Sequence, residues 1–226
     1  MQTENPAPTP GLGLGTNNSI SLFGEIATQA CFSHDVYGEG FYGFDLLVPR
    51  LSKANDLLPI TISERIMETS KFTPGTFMSV SGQIRSYNNF IEEERRNRLV
   101  LTVFAKDYEI GEKPAKENPN EVFLDGYICK PPIYRTTPFG REICDLLLAV
   151  NRSYNKSDYI PCITWGRNAR FGSKLAVGDN IKLWGRMQSR IYQKKLENGE
   201  VVEKTAFEVS VSKLEQNEKS TSTTDN

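Results

Sequence analysis

Residues that carry most enzyme chemistry are scarce in this chain. One histidine, His34, is present in 226 residues, which excludes a histidine-rich metal site and paired-histidine catalysis, and His34 has no acidic or cysteine partner at ligand spacing. Cys31, Cys129, Cys144 and Cys162 form no CxxC pair, and a count of four is weak support for disulfides in a chain this long. All four read as reduced core thiols, following the general tendency of cysteine to be buried. No apolar run approaches the ~20 residues that a membrane helix needs. The first residues, with Pro6, Pro8 and Pro10, lack the basic and apolar regions of a signal peptide, so a soluble cytoplasmic protein is expected. Gly11, Gly13 and Gly15 do not make a phosphate loop, since no strand precedes them and no lysine follows. The run from Glu92 to Arg98 is a mixed charge cluster of the kind found at solvated hairpin tips. With no catalytic, metal or cofactor constellation to assemble, the chain is expected not to be an enzyme and to carry no cofactor.

What the sequence does contain is a repeat. Gly24 and Gly126 differ by 102 positions, as do Ile26 and Ile128, Gly38 and Gly140, Val48 and Val150, Arg50 and Arg152, Asp56 and Asp158, Pro59 and Pro161, and Arg65 and Arg167. The offset then becomes 103, pairing Gly75 with Gly178 and Gly82 with Gly185, and 106 where Val103 meets Val209. Register breaks fall where loops tolerate insertions. A period this long means two copies of a whole domain, since solenoid repeats run about 20 to 50 residues.

Both copies alternate like strands. Ser19–Cys31, Phe41–Arg50, Leu57–Ile62, Phe77–Tyr87 and Arg98–Lys106 are candidates in the first; Val122–Lys130, Glu142–Asn151, Tyr159–Trp165, Asn180–Tyr192 and Lys204–Val211 answer in the second. Ser63–Lys71 and Asn168–Leu175 read as short helical connections after the third strands. Five strands in about ninety residues with one such connection suit a small Greek-key barrel of the OB type. The expected fold is all-β, two tandem five-stranded OB barrels: a flexible N-terminus over 1–17, a degenerate barrel over 18–110, a linker over 111–119, a second barrel over 120–215 and a disordered tail over 216–226.

A formal net charge of −1 argues against a uniformly basic nucleic-acid binder, but the average hides a split. Residues 18–110 hold nine Lys or Arg against twelve Asp or Glu, whereas residues 120–195 hold thirteen against six, which points to a polyanion on the second half. The long fourth strand of the second copy sharpens this. Ile181, Leu183, Gly185, Met187, Ser189 and Ile191 share one parity and read as the packed face. The other parity is Lys182, Trp184, Arg186, Gln188, Arg190, Tyr192 and Lys194, a ladder of cations and rings suited to holding phosphates while stacking on exposed bases. Solubility alone accounts for the cations but not for an outward Trp and Tyr.

Gly126-Tyr-Ile, Pro132-Ile-Tyr-Arg-Thr-Thr-Pro-Phe-Gly140, Leu148-Ala-Val-Asn-Arg152, Asp158-Tyr-Ile-Pro-Cys162, Trp165-Gly, Val177-Gly-Asp and Gly185-Arg-Met-Gln-Ser-Arg-Ile-Tyr192 together resemble the bacterial single-stranded DNA-binding protein family over the whole second copy; the first copy resembles it only through the second. The resemblance implies an OB fold and sequence-independent binding of single-stranded DNA without catalysis. It further implies service in replication, recombination or repair in the bacterial cytoplasm, associated with the nucleoid, and assemblies presenting four barrels, here a homodimer. By position it implies stacking by Tyr159, Trp165 and Tyr192, with Tyr154 a looser match, beside Trp184 from the ladder. Phosphate contacts fall to Arg135, Arg141, Arg152, Lys156, Arg167, Arg186, Arg190 and Lys194, with Lys182 from the ladder. The family's tail ends in an acidic, amphipathic tip, whereas this chain closes Ser-Thr-Ser-Thr-Thr-Asp-Asn, so tip-mediated recruitment of replication or repair partners is not expected. In the first copy Leu57, Ser63, Ser79, Ser81, Gln83, Tyr87 and Asn89 stand at the positions of Tyr159, Trp165, Lys182, Trp184, Arg186, Arg190 and Tyr192, which assigns that barrel an architectural, pairing role. The competing reading is an accessory module of a replisome, primosome or mobile element whose barrels bind mainly proteins.

Overall fold

A computed structural model describes residues 17–52, 54–91, 96–111, 118–195 and 199–217. All ten expected strands are present. The first barrel consists of β1 (Asn18–Ile26), β3 (Glu39–Pro49), β4 (Asn55–Ser63), β5 (Phe77–Ile91) and β6 (Arg96–Ile110); the second of β7 (Asn120–Ile128), β9 (Glu142–Asn151), β10 (Ser157–Trp165), β11 (Asn180–Lys195) and β12 (Val201–Gln216). Two short strands escaped the sequence reading, β2 (Cys31–Val36) and β8 (Ile133–Thr136), each hairpinned onto the strand that follows it. Each barrel closes in the order first, third, fourth, sixth, fifth of its six strands, with β4–β6 and β10–β12 parallel and the other pairings antiparallel. This is the tandem OB fold.

The helical connections differ. The second barrel has a six-residue α-helix, α1 (Arg167–Gly172), whose Ala169 and Gly172 are buried, whereas the first has only a single 3-10 turn, Thr69–Lys71. The expected N-terminus, linker and tail lie outside the described residues except at Asn17, Gly111, Asn118, Pro119, Gln216 and Asn217; Gln216 ends β12, and the backbone N–H of Asn217 donates to Asn180.

Alternation builds the cores. Phe44, Leu46 and Val48 on β3 and Leu58, Ile60 and Ile62 on β4 point inward and are buried, matched by Leu146, Leu148 and Val150 and by Ile160 and Cys162 in the second barrel. Burying each large aliphatic side chain contributes about 1.5 to 3 kcal/mol. Cys144 is buried too, and burial pushes the thiols of Cys144 and Cys162 up, so both stay protonated. Cys31, by contrast, is exposed on β2 and Cys129 is half-buried, which corrects the reading of all four cysteines as core thiols. The extra hairpin strand places Cys31 on the outermost strand of the sheet, opposite Gly43 of β3.

The two barrels share one sheet. β1 divides its pairing: Glu25 and Ile26 face β3, closing its own barrel, while Asn18–Leu22 pair antiparallel with Leu124–Asn120 of β7. Backbone bonds from Asp125 to Asn17 and from Phe23 to Pro119 extend this ladder at both ends. Gly24 sits where β1 changes partners; a Cβ there would lie 2.5 Å from the Leu47 carbonyl, and one on Gly126 would lie 2.6 Å from that of Ala149. Asn18 and Asn120 take the same part in each half, their carboxamides bonding both the N–H and the carbonyl of Ile84 and of Met187, respectively.

Two carboxylates lock the seam between the barrels. Asp56 is fully buried and accepts from Arg50 of its own barrel at 2.7 and 2.5 Å, and from the Ser189 N–H (2.7 Å), the Ser189 hydroxyl (3.1 Å) and Arg186 (3.4 Å) of the other. Asp158, equally buried, accepts from Arg152 at 3.4 Å and from Arg85 (2.9 Å) and the Ser86 N–H (2.8 Å) of the first barrel. Removing one member of such a buried ion cluster strands the others. Asp56→Ala and Asp158→Ala are each expected to cost about 3 to 5 kcal/mol in urea unfolding, against little change for Glu68→Ala in the exposed pair with Lys71. Thiol accessibility gives a second test. Iodoacetamide should label Cys31 in the folded protein and reach Cys144 and Cys162 only after denaturation, as read by mass spectrometry.

Candidate nucleic-acid interface

Strands β8, β9 and β10 present one outward face of the second barrel. Arg135, Ile143 and Trp165 form a row across the three strands, and Ala149 pairs with Tyr159 further along. Tyr159 and Trp165 lie six residues apart on the outward parity of β10, ~20 Å at strand rise, and are 44% and 40% exposed, while Asp158, Ile160, Cys162 and Thr164 turn inward. Tyr154 stands at the tip of the β9–β10 loop, 95% exposed. Its φ of 61° and that of Asn155, 54°, turn the chain within a loop closed by the Arg152 N–H donating to Lys156 at 2.8 Å. The three rings are thus held by a strand and a short turn.

The cations around them differ in how far they are committed. Arg141, Lys156 and Arg167 are exposed, at the β8–β9 turn, the β9–β10 loop and the start of α1. Arg135 is paired with Asp145 at 2.8 Å, a hydrogen bond that holds its guanidinium above the usual arginine value. Arg152 and Arg186 belong to the carboxylate clusters of the seam. Burial and then repulsion from Arg50 push Arg186 down, with Asp56 opposing, whereas the hydrogen bond to Asp56 raises Arg50.

The ladder expected along β11 is divided by the fold. Lys182 and Trp184 lie on the sheet that runs through both barrels. Trp184 is covered there by Phe123, with ring centroids 5.2 Å apart, and by Lys213, 4.4 Å from the ring centroid. Arg186 turns into the seam, and Gln188 is buried against Glu208 at 2.8 Å. Arg190, Tyr192 and Lys194 stand on the hairpin arm that β11 and β12 extend beyond the barrel; Arg190 lies 5.6 Å from the Tyr192 ring centroid and 3.6 Å from Glu208. On this arm the packed parity also ends, because Ile191 is 68% exposed. The expectation that Ile191 packs inward is therefore corrected: sixteen residues of strand outrun the barrel, and beyond Ser189 neither side of the ribbon has a core beneath it.

Sequence reading missed four residues that position this surface. Ser86, on the arm of the first barrel, accepts the Tyr159 N–H on its hydroxyl at 2.7 Å, so the first barrel helps hold β10. Arg85 reaches Asp158, and Ser189 and Arg50 secure the other arm through Asp56. The recurrence of Arg50 with Arg152 and of Asp56 with Asp158 was the available signal. In the first barrel, Leu57 stands outward where the second has Tyr159, and Ser63 is buried with its hydroxyl on Glu39. Among the described residues no cluster of His, Cys, Asp and Glu could hold a metal ion, and no helix is long and apolar enough to cross a membrane.

Comparison with known proteins bears on the same half of the chain. Residues 119–216 match the Single-strand binding protein family. Single-stranded DNA-binding protein 1 of Staphylococcus aureus (strain COL) is 37% identical over 33% of this chain and 48% of its own length. Single-stranded DNA-binding protein A of Bacillus subtilis (strain 168) is 36% identical over 33% of this chain and 47% of its own. The chain thus spans about half the length of these curated relatives. It covers 72% of Single-stranded DNA-binding protein B of the same Bacillus strain, at 32% identity. Crystal structures of the single-stranded DNA binding protein from Thermus aquaticus share the two-barrel fold; that of a deletion mutant, delta 228-252 R190A in that protein's own numbering, superposes with a TM-score of 0.70 at 18% identity, over 92% of this chain and 98% of the other. Barrel closure, the outward rings of β10 and these matches lead to one conclusion: the chain belongs to the single-stranded DNA-binding protein family.

Proposed function

We propose that the protein binds single-stranded DNA without sequence preference, chiefly through the second barrel. One observation carries the reading: Tyr154, Tyr159 and Trp165 stand exposed on β10 and the loop that enters it, and Arg141, Lys156 and Arg167 beside them form no ion pair among the described residues. Stacking on aromatic faces is tolerant of sequence because every base has one. Arg190, Tyr192 and Lys194 extend the surface along the β11–β12 arm, and Arg135 and Lys182 add charge beside it. Trp184, already sandwiched, is a secondary contributor. Arg152 and Arg186 act first on the seam. The first barrel, with Leu57 and a buried Ser63 at the ring positions, serves mainly as the pairing partner of the second. A homodimer would bring four barrels together, and the setting that fits is replication, recombination or repair in the bacterial cytoplasm. No catalytic step or cofactor is assigned.

An accessory module that mainly binds proteins draws support from the first barrel, where Phe32, Tyr37 and Leu57 are exposed without a matching set of cations. Titration with fluorescent oligo-dT at two salt concentrations separates the readings, since protein docking alone predicts no saturable binding. Tyr159→Ala or Trp165→Ala should each weaken binding by ~1 to 3 kcal/mol. Arg190→Ala should lower the slope of log affinity against log salt by about 0.7. Tyr37→Ala, on the exposed β2–β3 turn of the first barrel, should change neither quantity.

A further inference from the structure

A pocket of about 370 Å³ opens at the seam, between the β3–β4 turn of the first barrel, the segment entering β7 and the β11–β12 ribbon. Arg50, Ser52, Asn118, Arg186, Ser210 and Ser212 are among the residues lining it, and none of the lining residues is a carboxylate. Asp56 lies beside the pocket, fully buried, and both arginines reach it, so two guanidinium groups share one negative charge. The cluster therefore carries an excess positive charge on its pocket side. Donors remain as well: Nη1 of Arg50 and Nε of Arg186 have no hydrogen-bond partner among the described residues.

The site is not a by-product of the repeat. At the corresponding positions in the other half, Gln83 replaces Arg186 and Phe104 replaces Ser210; the second guanidinium on Asp158 comes there from Arg85, two residues further along, and its carbon lies 5.9 Å from the centroid of the Phe104 ring that stands where this half has a hydroxyl. Arg186 also shares its parity on β11 with Arg190 and Tyr192, ~13 and ~20 Å further along the strand. The pocket thus lies in line with the row on the arm.

We propose that this pocket is a phosphodiester subsite, in which Arg50 and Arg186 hold one phosphate of a single strand as it passes from the second barrel to the first. The hydroxyls of Ser52 and Ser210 and the carboxamide of Asn118 would complete a cradle for the phosphate oxygens, while the Ser212 hydroxyl already donates to the Trp184 carbonyl. The proposal rests on single-stranded DNA being the ligand, and it makes the first barrel, through Arg50 and Ser52, a direct participant.

The full chain is tested in two ways. In the wild type, titration with inorganic phosphate should give saturable amide shifts at Ser52, Gly185 and Ser210, and Ser52→Glu should abolish them by placing a carboxylate in the pocket. Shifts that do not saturate, or that survive in Ser52→Glu, overturn the proposal. Ser52→Glu should also weaken binding of oligo-dT of about 35 nucleotides severalfold and lower its salt slope by about 0.7, while leaving an oligomer of about 10 nucleotides, within the span of one OB barrel, unaffected. Gln29→Glu, the same charge change on the exposed β1–β2 turn, should leave both oligomers unaffected. Equal losses in the two variants, or equal losses for the short and long oligomers, would reduce the effect to general electrostatics and reject the subsite. If phosphate shifts saturate but no oligomer binds the wild type, the single-strand reading fails and an anion pocket remains.

Discussion

The divided pairing of β1 governs this molecule. A strand that pairs β5 on one side and closes its own barrel on the other with only two residues, Glu25 and Ile26, leaves the five-residue edge Asn18–Leu22 open, with alternate backbone groups unsatisfied. Exposed edges of that length pair with whatever is at hand. Here the partner is β7 of the same chain, whose own edge has the same defect, and each repairs the other. Every feature of the seam follows from the geometry this imposes: the side-by-side barrels, the arms that cross from one to the other, and the two carboxylates at the crossings.

Those carboxylates explain how the outward face of β10 is held. Strand β10 carries the rings, yet its position is set partly by the first barrel, through Ser86 on Tyr159 and Arg85 on Asp158. In the mirrored place, Asp56 anchors the arm that carries Arg190, Tyr192 and Lys194. A barrel with Leu57 and Ser63 at the ring positions therefore still supports the rings of its neighbour. Each barrel thus holds part of the other in place across the seam.

Much of this was legible in the sequence, and the exceptions have physical causes. The constant offset between Gly24 and Gly126, or Asp56 and Asp158, identified the duplication, and alternation along Leu58–Ile62 and Ile160–Cys162 identified the strands and their buried sides. Alternation failed on β11 because it reports only that a strand has two sides, not whether a core lies beneath them; Ile191 and Gln188 have opposite fates for that reason. Tyr159 and Trp165 are outward, as their parity implies, but Trp184 shares its side of the strand with neighbours from β7 and β12 that no single-strand pattern contains. Cys31 was misread because β2 is too short and too polar to register as a strand. The seam pairs were visible as charges kept in both copies, although nothing local distinguishes a charge kept for another barrel from one kept for a ligand.

Joining two barrels in one chain also changes what evolution can do with their interface. In a symmetric dimer every substitution occurs on both sides at once, so an arginine cannot be moved on one side alone. Here the first barrel has Gln83 and Arg85 where the second has Arg186 and Gln188, the same two side chains in opposite order, each pair still delivering a guanidinium to the facing carboxylate. The covalent link also sets a high local concentration of each barrel for the other, making their association independent of dilution. Freed from both symmetry and mass action, one half can carry Leu57 and Ser63 where the other carries Tyr159 and Trp165 while the shared sheet still forms.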